Sequence, residues 1–168
     1  MNLVFYFLQQ LVNALSIGSL YALMAVGLAM VFSILRLINF AHGDLIMVAA
    51  YFAAFALLGK LPLGVTIVLM IAGTILVGLL MERVAYRPIR GAPDVAALLT
   101  SFAVGQILQN GTLLVTRLLQ RPNPLAFPVI SALSGVFTFG SITVPRVNVL
   151  SLVLGIILLV LLDRKSVV

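Results

Sequence analysis

The chain begins with a long apolar stretch that contains no charged residue before Arg36. A helix needs about 20 consecutive apolar residues to cross the hydrocarbon core of a bilayer, and this stretch is longer than that. Further uncharged runs follow at 45–59, 61–81, 95–116 and 147–162. The first run lacks the basic start of a secretory signal peptide, so we expect it to be retained as a membrane span.

Composition supports the same interpretation. Hydrophobic residues make up 63% of the 168 residues, charged residues 8%, and the mean hydropathy is +1.28. A soluble domain carries roughly 25% charged residues to maintain a hydrated surface. We therefore predict an all-α integral membrane fold, a bundle of about five transmembrane helices forming one domain over residues 1–168. The predicted spans lie near 8–32, 41–59, 61–81, 95–116 and 147–162.

A polar cluster separates the first two apolar runs and contains Asn39, His42 and Asp44. Because the following run is short, we predict a broken or re-entrant segment near 36–46. Polar groups at membrane depth are costly and commonly face a water-filled path, which makes these three residues candidates for a translocation path or gate. The alternative is that Asn39 or Asp44 caps the second helix, with His42 bonded to a loop carbonyl.

The connecting segments carry most of the charge. Residues 82–94 are predicted to form a solvated loop, and residues 117–146 contain four of the seven prolines, which disfavour a spanning helix. Apolar runs on both sides of Gly140-Ser141 predict a β-hairpin. One side of the membrane receives six basic residues and the other four. The positive-inside rule then places the N-terminus outside and the C-terminus in the cytoplasm.

The residues offer no catalytic chemistry. Phosphate-binding G-x-x-x-x-G-K-[ST], zinc-protease H-E-x-x-H and esterase G-x-S-x-G patterns are absent, and the chain has no cysteine and one histidine. We predict neither an enzyme nor a cofactor or metal site. The net charge of +6 does not indicate nucleic acid, because no basic run is interleaved with aromatic residues.

Two helical patterns concern packing and polarity. Ala14, Gly18 and Ala22 recur at every fourth position, which is typical of close helix packing in lipid. Gln106 and Asn110 share one face of the fourth span, where they either line a polar path or hydrogen-bond to neighbouring helices.

Four segments resemble one transporter family, in the family's order. They are L-Q-Q-L-V-N-A-L-S-I-G-S-L-Y-A at 8–22, R-L-I-N-F-A-H-G-D at 36–44, E-R-V-A-Y-R-P-I-R-G at 82–91, and Gln109-Asn110. The second is similar to the signature I-N-F-A-H-G-[ED]. The chain is identified by these segments as a member of the LivH-type permease subunits of branched-chain amino acid ABC importers.

The resemblance implies a subunit in the inner or plasma membrane that forms part of the translocation path for branched-chain amino acids, with relatives that carry amides and urea-like solutes. It also implies partners: a second permease, cytoplasmic ATPases that drive alternating access, and a periplasmic or extracellular solute-binding protein, all acting in membrane lipid. In the cytoplasmic loop it singles out candidates for folding or partner contact. They are Glu82, Arg83, Tyr86 and Arg87.

Family members are longer than this chain, which ends about where their ATPase-docking loop begins. We therefore expect the 168 residues alone not to couple to an ATPase, and ATP-driven uptake by a complex with this chain as its only LivH-type subunit would contradict that expectation. The alternatives to an importer subunit are a passive small-solute channel and a non-transporting scaffold or inactive fragment.

Overall fold

The computed structural model describes residues 3–35, 39–122, 124–130, 133–139 and 142–163. These residues form five α-helices and a two-stranded sheet, which confirms the prediction of an all-α membrane fold. The elements are α1 (Leu3–Leu35), α2 (His42–Leu58), α3 (Leu63–Met81), α4 (Asp94–Leu118), β1 (Val136–Phe139), β2 (Ile142–Pro145) and α5 (Arg146–Asp163).

Three helical stretches of the described chain are long and apolar enough to cross a membrane. They cover Leu3–Ser33, Leu63–Ile89 and Asp94–Leu118, and two shorter apolar helices cover His42–Leu58 and Arg146–Ile157. Many large apolar side chains on these helices point outward. Exposed apolar surface on this scale suits lipid and would be unfavourable in water.

The described residues fall into two compact units, and Met30–Pro128 is one of them. Within it, α2 packs against α3 and α4. Gly73 of α3 allows a close approach, because a Cβ atom at this position would lie 2.9 Å from the ring of Phe52 on α2. Small residues at such crossings let helix backbones approach where hydrophobic exclusion gives no driving force.

Helices α2 and α4 end in the same way. After α2, the N–H of Leu61 donates to Ala56 O at 3.1 Å, and the N–H of Lys60 donates to Leu57 O at 2.9 Å. Lys60 has φ 58°, so this is the Schellman arrangement with a left-handed residue after the helix. Gln120, with φ 52°, ends α4 by equivalent bonds. Both turns satisfy terminal carbonyls that lipid could not.

The second unit comprises Met1–Ala29 and Val129–Val168. Strands β1 and β2 pair antiparallel, with Thr138 opposite Thr143, which confirms the strands of the predicted hairpin. The predicted turn residues, Gly140 and Ser141, lie outside the described residues.

A side-chain amide holds the outer edge of this hairpin. Gln9 on α1 donates to Thr143 O at 2.9 Å and accepts from Thr143 N at 2.8 Å. The amide therefore satisfies both backbone groups of an edge residue, as a neighbouring strand would. At the start of α5, the guanidinium of Arg146 lies 5.4 Å from the ring centroid of Phe137, so the hairpin is also joined to that helix.

Candidate functional site

Asn39 lies at the centre of the predicted polar segment and is 6% exposed. Its side-chain Oδ1 accepts from the backbone N–H of Ala41 at 3.0 Å and from the hydroxyl of Tyr86 at 2.7 Å. Its backbone oxygen accepts from His42 N at 3.2 Å. One residue thus forms the turn that starts α2 and bonds to a second polar segment 47 residues away. Residues 36–38 of the predicted break lie outside the described residues.

Tyr86 belongs to a π-helical turn, Glu82–Tyr86, that continues α3 and passes into a 3₁₀ turn at Arg87–Ile89. This corrects the prediction of a solvated loop for residues 82–89. The high local charge suggested a loop, but the wide π turn places the aromatic ring inward while the arginines stay outside. The Tyr86 ring packs in a buried cluster with Ala41, Met81 and Val104.

The charged residues of this turn lie at its surface. Arg83 and Arg87 are exposed, and Glu82 pairs with Arg90 across the turn. The side chains of that pair are 37% and 65% exposed, so solvent screening leaves it little effect on stability.

Asp44 and Gln109 join α2 to α4. Gln109 Nε2 donates to Asp44 Oδ1 at 2.7 Å across 65 residues of sequence. Gly105, one turn earlier on α4, is buried, and a Cβ atom there would overlap Asp44 Oδ2. We call the five residues Asn39, Asp44, Tyr86, Gly105 and Gln109 the polar seam.

The other candidate site residues near the seam are His42, Gln106 and Asn110. His42 begins α2 and is partly exposed, and Gln106 and Asn110 are exposed on α4, as is Gln109. Asn110 Nδ2 donates to Gln106 O of its own helix at 2.8 Å. The bond between helices is therefore made by Gln109. The four-residue spacing indicated a shared face for Gln106 and Asn110 but carried no information on which face meets α2.

The small-residue positions of α1, Ala14, Gly18 and Ala22, are all exposed. Among the described residues nothing lies within 4 Å of a Cβ atom built on Gly18. Their role in helix packing therefore stays a prediction, and the packing partner would have to lie outside the described residues. In the same described part of the chain, no group of three His, Cys, Asp or Glu residues could hold a metal ion.

Replacing Tyr86 with phenylalanine tests the first bond of the seam. Tyr86→Phe keeps the buried ring and removes one hydrogen bond, so we expect a loss of about 1 kcal/mol of stability, visible as a lower Tm in detergent. Tyr21→Phe is the matched control because Tyr21 is 67% exposed. Equal Tm values for the two variants would contradict the role assigned to the Tyr86 hydroxyl.

Replacing Gly105 tests the second bond. In Gly105→Ala the new methyl displaces the Asp44 carboxylate from Gln109, and we expect a loss of about 1–3 kcal/mol in unfolding experiments. Gly111→Ala is the control on the same helix, because its Cβ would meet nothing within 4 Å. That change should stabilise by up to about 1 kcal/mol through helix propensity. Similar effects at both positions would show that the close approach does not exist.

Comparison with known proteins gives a consistent result. Residues 10–167 match the family model described as branched-chain amino acid transport system, permease component. The chain is 37% identical over 146 residues to the high-affinity branched-chain amino acid transport system permease protein BraD of Pseudomonas aeruginosa, which covers 82% of the chain and 46% of BraD. No solved structure matches the chain.

LivH proteins, which carry the same description, show a similar sequence identity to this chain. Those of Salmonella typhimurium and Escherichia coli are each 39% identical over 114 residues, covering 62% of this chain and 37% of the relative. The chain thus spans less than half the length of the curated relatives it matches. These relatives are permease proteins and not enzymes, and with the apolar helices they establish a multi-pass membrane protein. The chain belongs to the permease-component family of branched-chain amino acid transport systems.

Proposed function

We propose that the chain forms part of the permease subunit of an ABC importer for branched-chain amino acids in the inner membrane. The observation that carries this proposal is the family match over residues 10–167, which includes every residue of the polar seam. The relatives' descriptions name high-affinity transport of branched-chain amino acids, and we extend that substrate class to this chain.

The proposed mechanism is alternating access driven by partner ATPases, with no bond chemistry in the permease itself. The seam fits a gate, because it joins α2, α4 and the π turn by hydrogen bonds that each contribute about 1 kcal/mol net. Bonds of this size can be exchanged when helices shift. Asn39, His42, Asp44, Gln106 and Asn110 are proposed to shape the path or gate.

The proposed partners are a second permease subunit, two cytoplasmic ATPases and a solute-binding protein outside the membrane. The turn at 82–90 is the proposed cytoplasmic contact. Arg83 and Arg87 are exposed there and free to meet an acidic surface, while Glu82 pairs with Arg90 and Tyr86 anchors the turn to Asn39.

Cysteine labelling tests the proposed orientation, with the N-terminus outside and residues 82–90 in the cytoplasm. The chain has no native cysteine, so single substitutions report without background. The cells need an intact inner membrane and an outer membrane that has been removed or made permeable. In such cells, Lys60→Cys should react with a membrane-impermeant maleimide, whereas Arg87→Cys should react only after lysis. The opposite pattern would reverse the topology.

Uptake measurements test the function. Deleting the gene should abolish ATP-dependent uptake of labelled leucine, isoleucine and valine and leave succinate uptake unchanged. Restoration with Asp44→Asn should give about tenfold less uptake than restoration with the unaltered gene, because a charge-assisted bond of the seam is weakened. The control Asp94→Asn changes an exposed carboxylate at the start of α4 and should stay within about twofold.

Two outcomes would contradict the proposal. Unchanged uptake after deletion would favour a scaffold, and restored uptake that persists after ATP depletion would favour a passive channel.

A further inference from the structure

An apolar groove lies between α2 and α4 and has a volume of about 370 Å³. This is within the roughly 300–1,000 Å³ range of small-molecule sites. The lining includes Val48, Tyr51 and Phe55 from α2 and Leu108, Gly111 and Val115 from α4. Its walls are aliphatic and aromatic along most of their length.

Two residues of the polar seam, Asp44 and Gln109, lie within one helical turn of residues that line this groove. Asp44 precedes Val48 by four residues on α2, and Gln109 follows Leu108 directly on α4. Four residues of α-helix span about 6 Å. A carboxylate and an amide therefore lie near one end of the apolar groove, on the same pair of helices.

We propose that the groove and the seam together bind an α-amino acid with an aliphatic side chain. The ammonium group pairs with Asp44, the carboxylate accepts from Gln109, and the side chain occupies the groove. This inference rests on the proposed transport function and names the place where the substrate lies.

Charge complementarity identifies the ammonium partner. Gln109 occupies one oxygen of Asp44, and a carboxylate can accept about four hydrogen bonds. Among the described residues the one ion pair joins Glu82 to Arg90, and no described cationic side chain pairs with Asp44. Asp44 lies in the first turn of α2 and is partly exposed, so a substrate ammonium can reach its carboxylate and form a charge-assisted bond.

The amide provides the second polar contact. Gln109 carries two N–H donors and one is bonded to Asp44, which leaves the other for the substrate carboxylate. Zwitterionic recognition therefore needs only these two side chains. A lipid acyl chain fits the groove equally well but presents nothing to Asp44, and for this reason an amino acid is the occupant we propose.

The apolar walls predict a preference by size. Each buried methylene contributes about 0.8 kcal/mol, or roughly fourfold in affinity. The expected order is leucine, then valine, then alanine.

Equilibrium competition against tritiated leucine tests the site, using the purified full chain in phosphatidylcholine nanodiscs. Leucinol keeps the ammonium and should compete, whereas 4-methylpentanoate lacks it and should compete at least about tenfold less well. Asp44→Asn should weaken competition by leucinol and reduce the difference between the two competitors.

A glycine pair provides matched variants for the groove. Neither Gly111 nor Gly64 has any atom within 4 Å of a built Cβ, so both accept a larger side chain without a direct clash. Gly111→Leu fills the groove and should weaken leucine binding about tenfold or more. It should also reduce the difference in affinity between leucine and alanine. Gly64→Leu, on α3, should leave leucine binding within about twofold.

Three results would overturn the inference: no leucine binding to the unaltered chain, equal binding by Gly111→Leu and Gly64→Leu, or competition by 4-methylpentanoate as strong as by leucinol. The last result would identify the groove as an acyl-chain site. Binding without uptake in cells would instead contradict the proposed transport function and leave the site in place. Uptake without binding would contradict the site alone.

Discussion

Polar groups inside an apolar helix bundle have no water to bond with, so each must find its partner within the protein. Asn39 meets this constraint with one oxygen that accepts from both Ala41 N–H and the Tyr86 hydroxyl. If the side chain were apolar, both donors would lose their partner at a cost of about 1–3 kcal/mol each. The start of α2 and the inward position of the π turn therefore depend on the same atom.

The start of α2 in turn determines where Asp44 lies. In the first turn of that helix its carboxylate meets Gln109 and rests against Gly105, where any side chain would displace it. Segments far apart in sequence are thus joined by two short bonds and one glycine. An apolar groove continues from this point between the same helices, so a polar end and an apolar body are placed in the order in which an aliphatic amino acid presents them.

Much of the fold could be predicted from the sequence because the membrane imposes a simple rule on length and charge. The uncharged runs predicted the helices, and apolar runs on both sides of Gly140-Ser141 predicted strands β1 and β2. The π turn could not be predicted, because the charged residues at 82–90 dominate any hydropathy measure while the one buried residue, Tyr86, is amphipathic. Its partner is Asn39, 47 residues earlier in the sequence, which comes beside Tyr86 only in the folded chain.

The limit of prediction from sequence also shows at single residues of the candidate site. Asn39, Asp44 and Tyr86 were predicted as site residues and lie in the seam. Gln109 was not chosen from helical spacing, because periodicity identifies residues on a common face without identifying the neighbouring helix. Gly105 carried no polar signal at all. Its importance comes from a tertiary distance that no local pattern encodes.

Disulfide cross-linking tests the central claim, that α2 and α4 meet at the polar seam, most directly. In this cysteine-free chain, Asp44→Cys combined with Gly105→Cys places two thiols at the closest point of the seam. With a protease site inserted between residues 90 and 93, oxidation in native membranes should keep the two cleaved fragments together on a non-reducing gel. Asp44→Cys combined with Gly111→Cys, about 9 Å farther along α4, should not do so. Equal cross-linking of both pairs, or none of the first, would contradict the account.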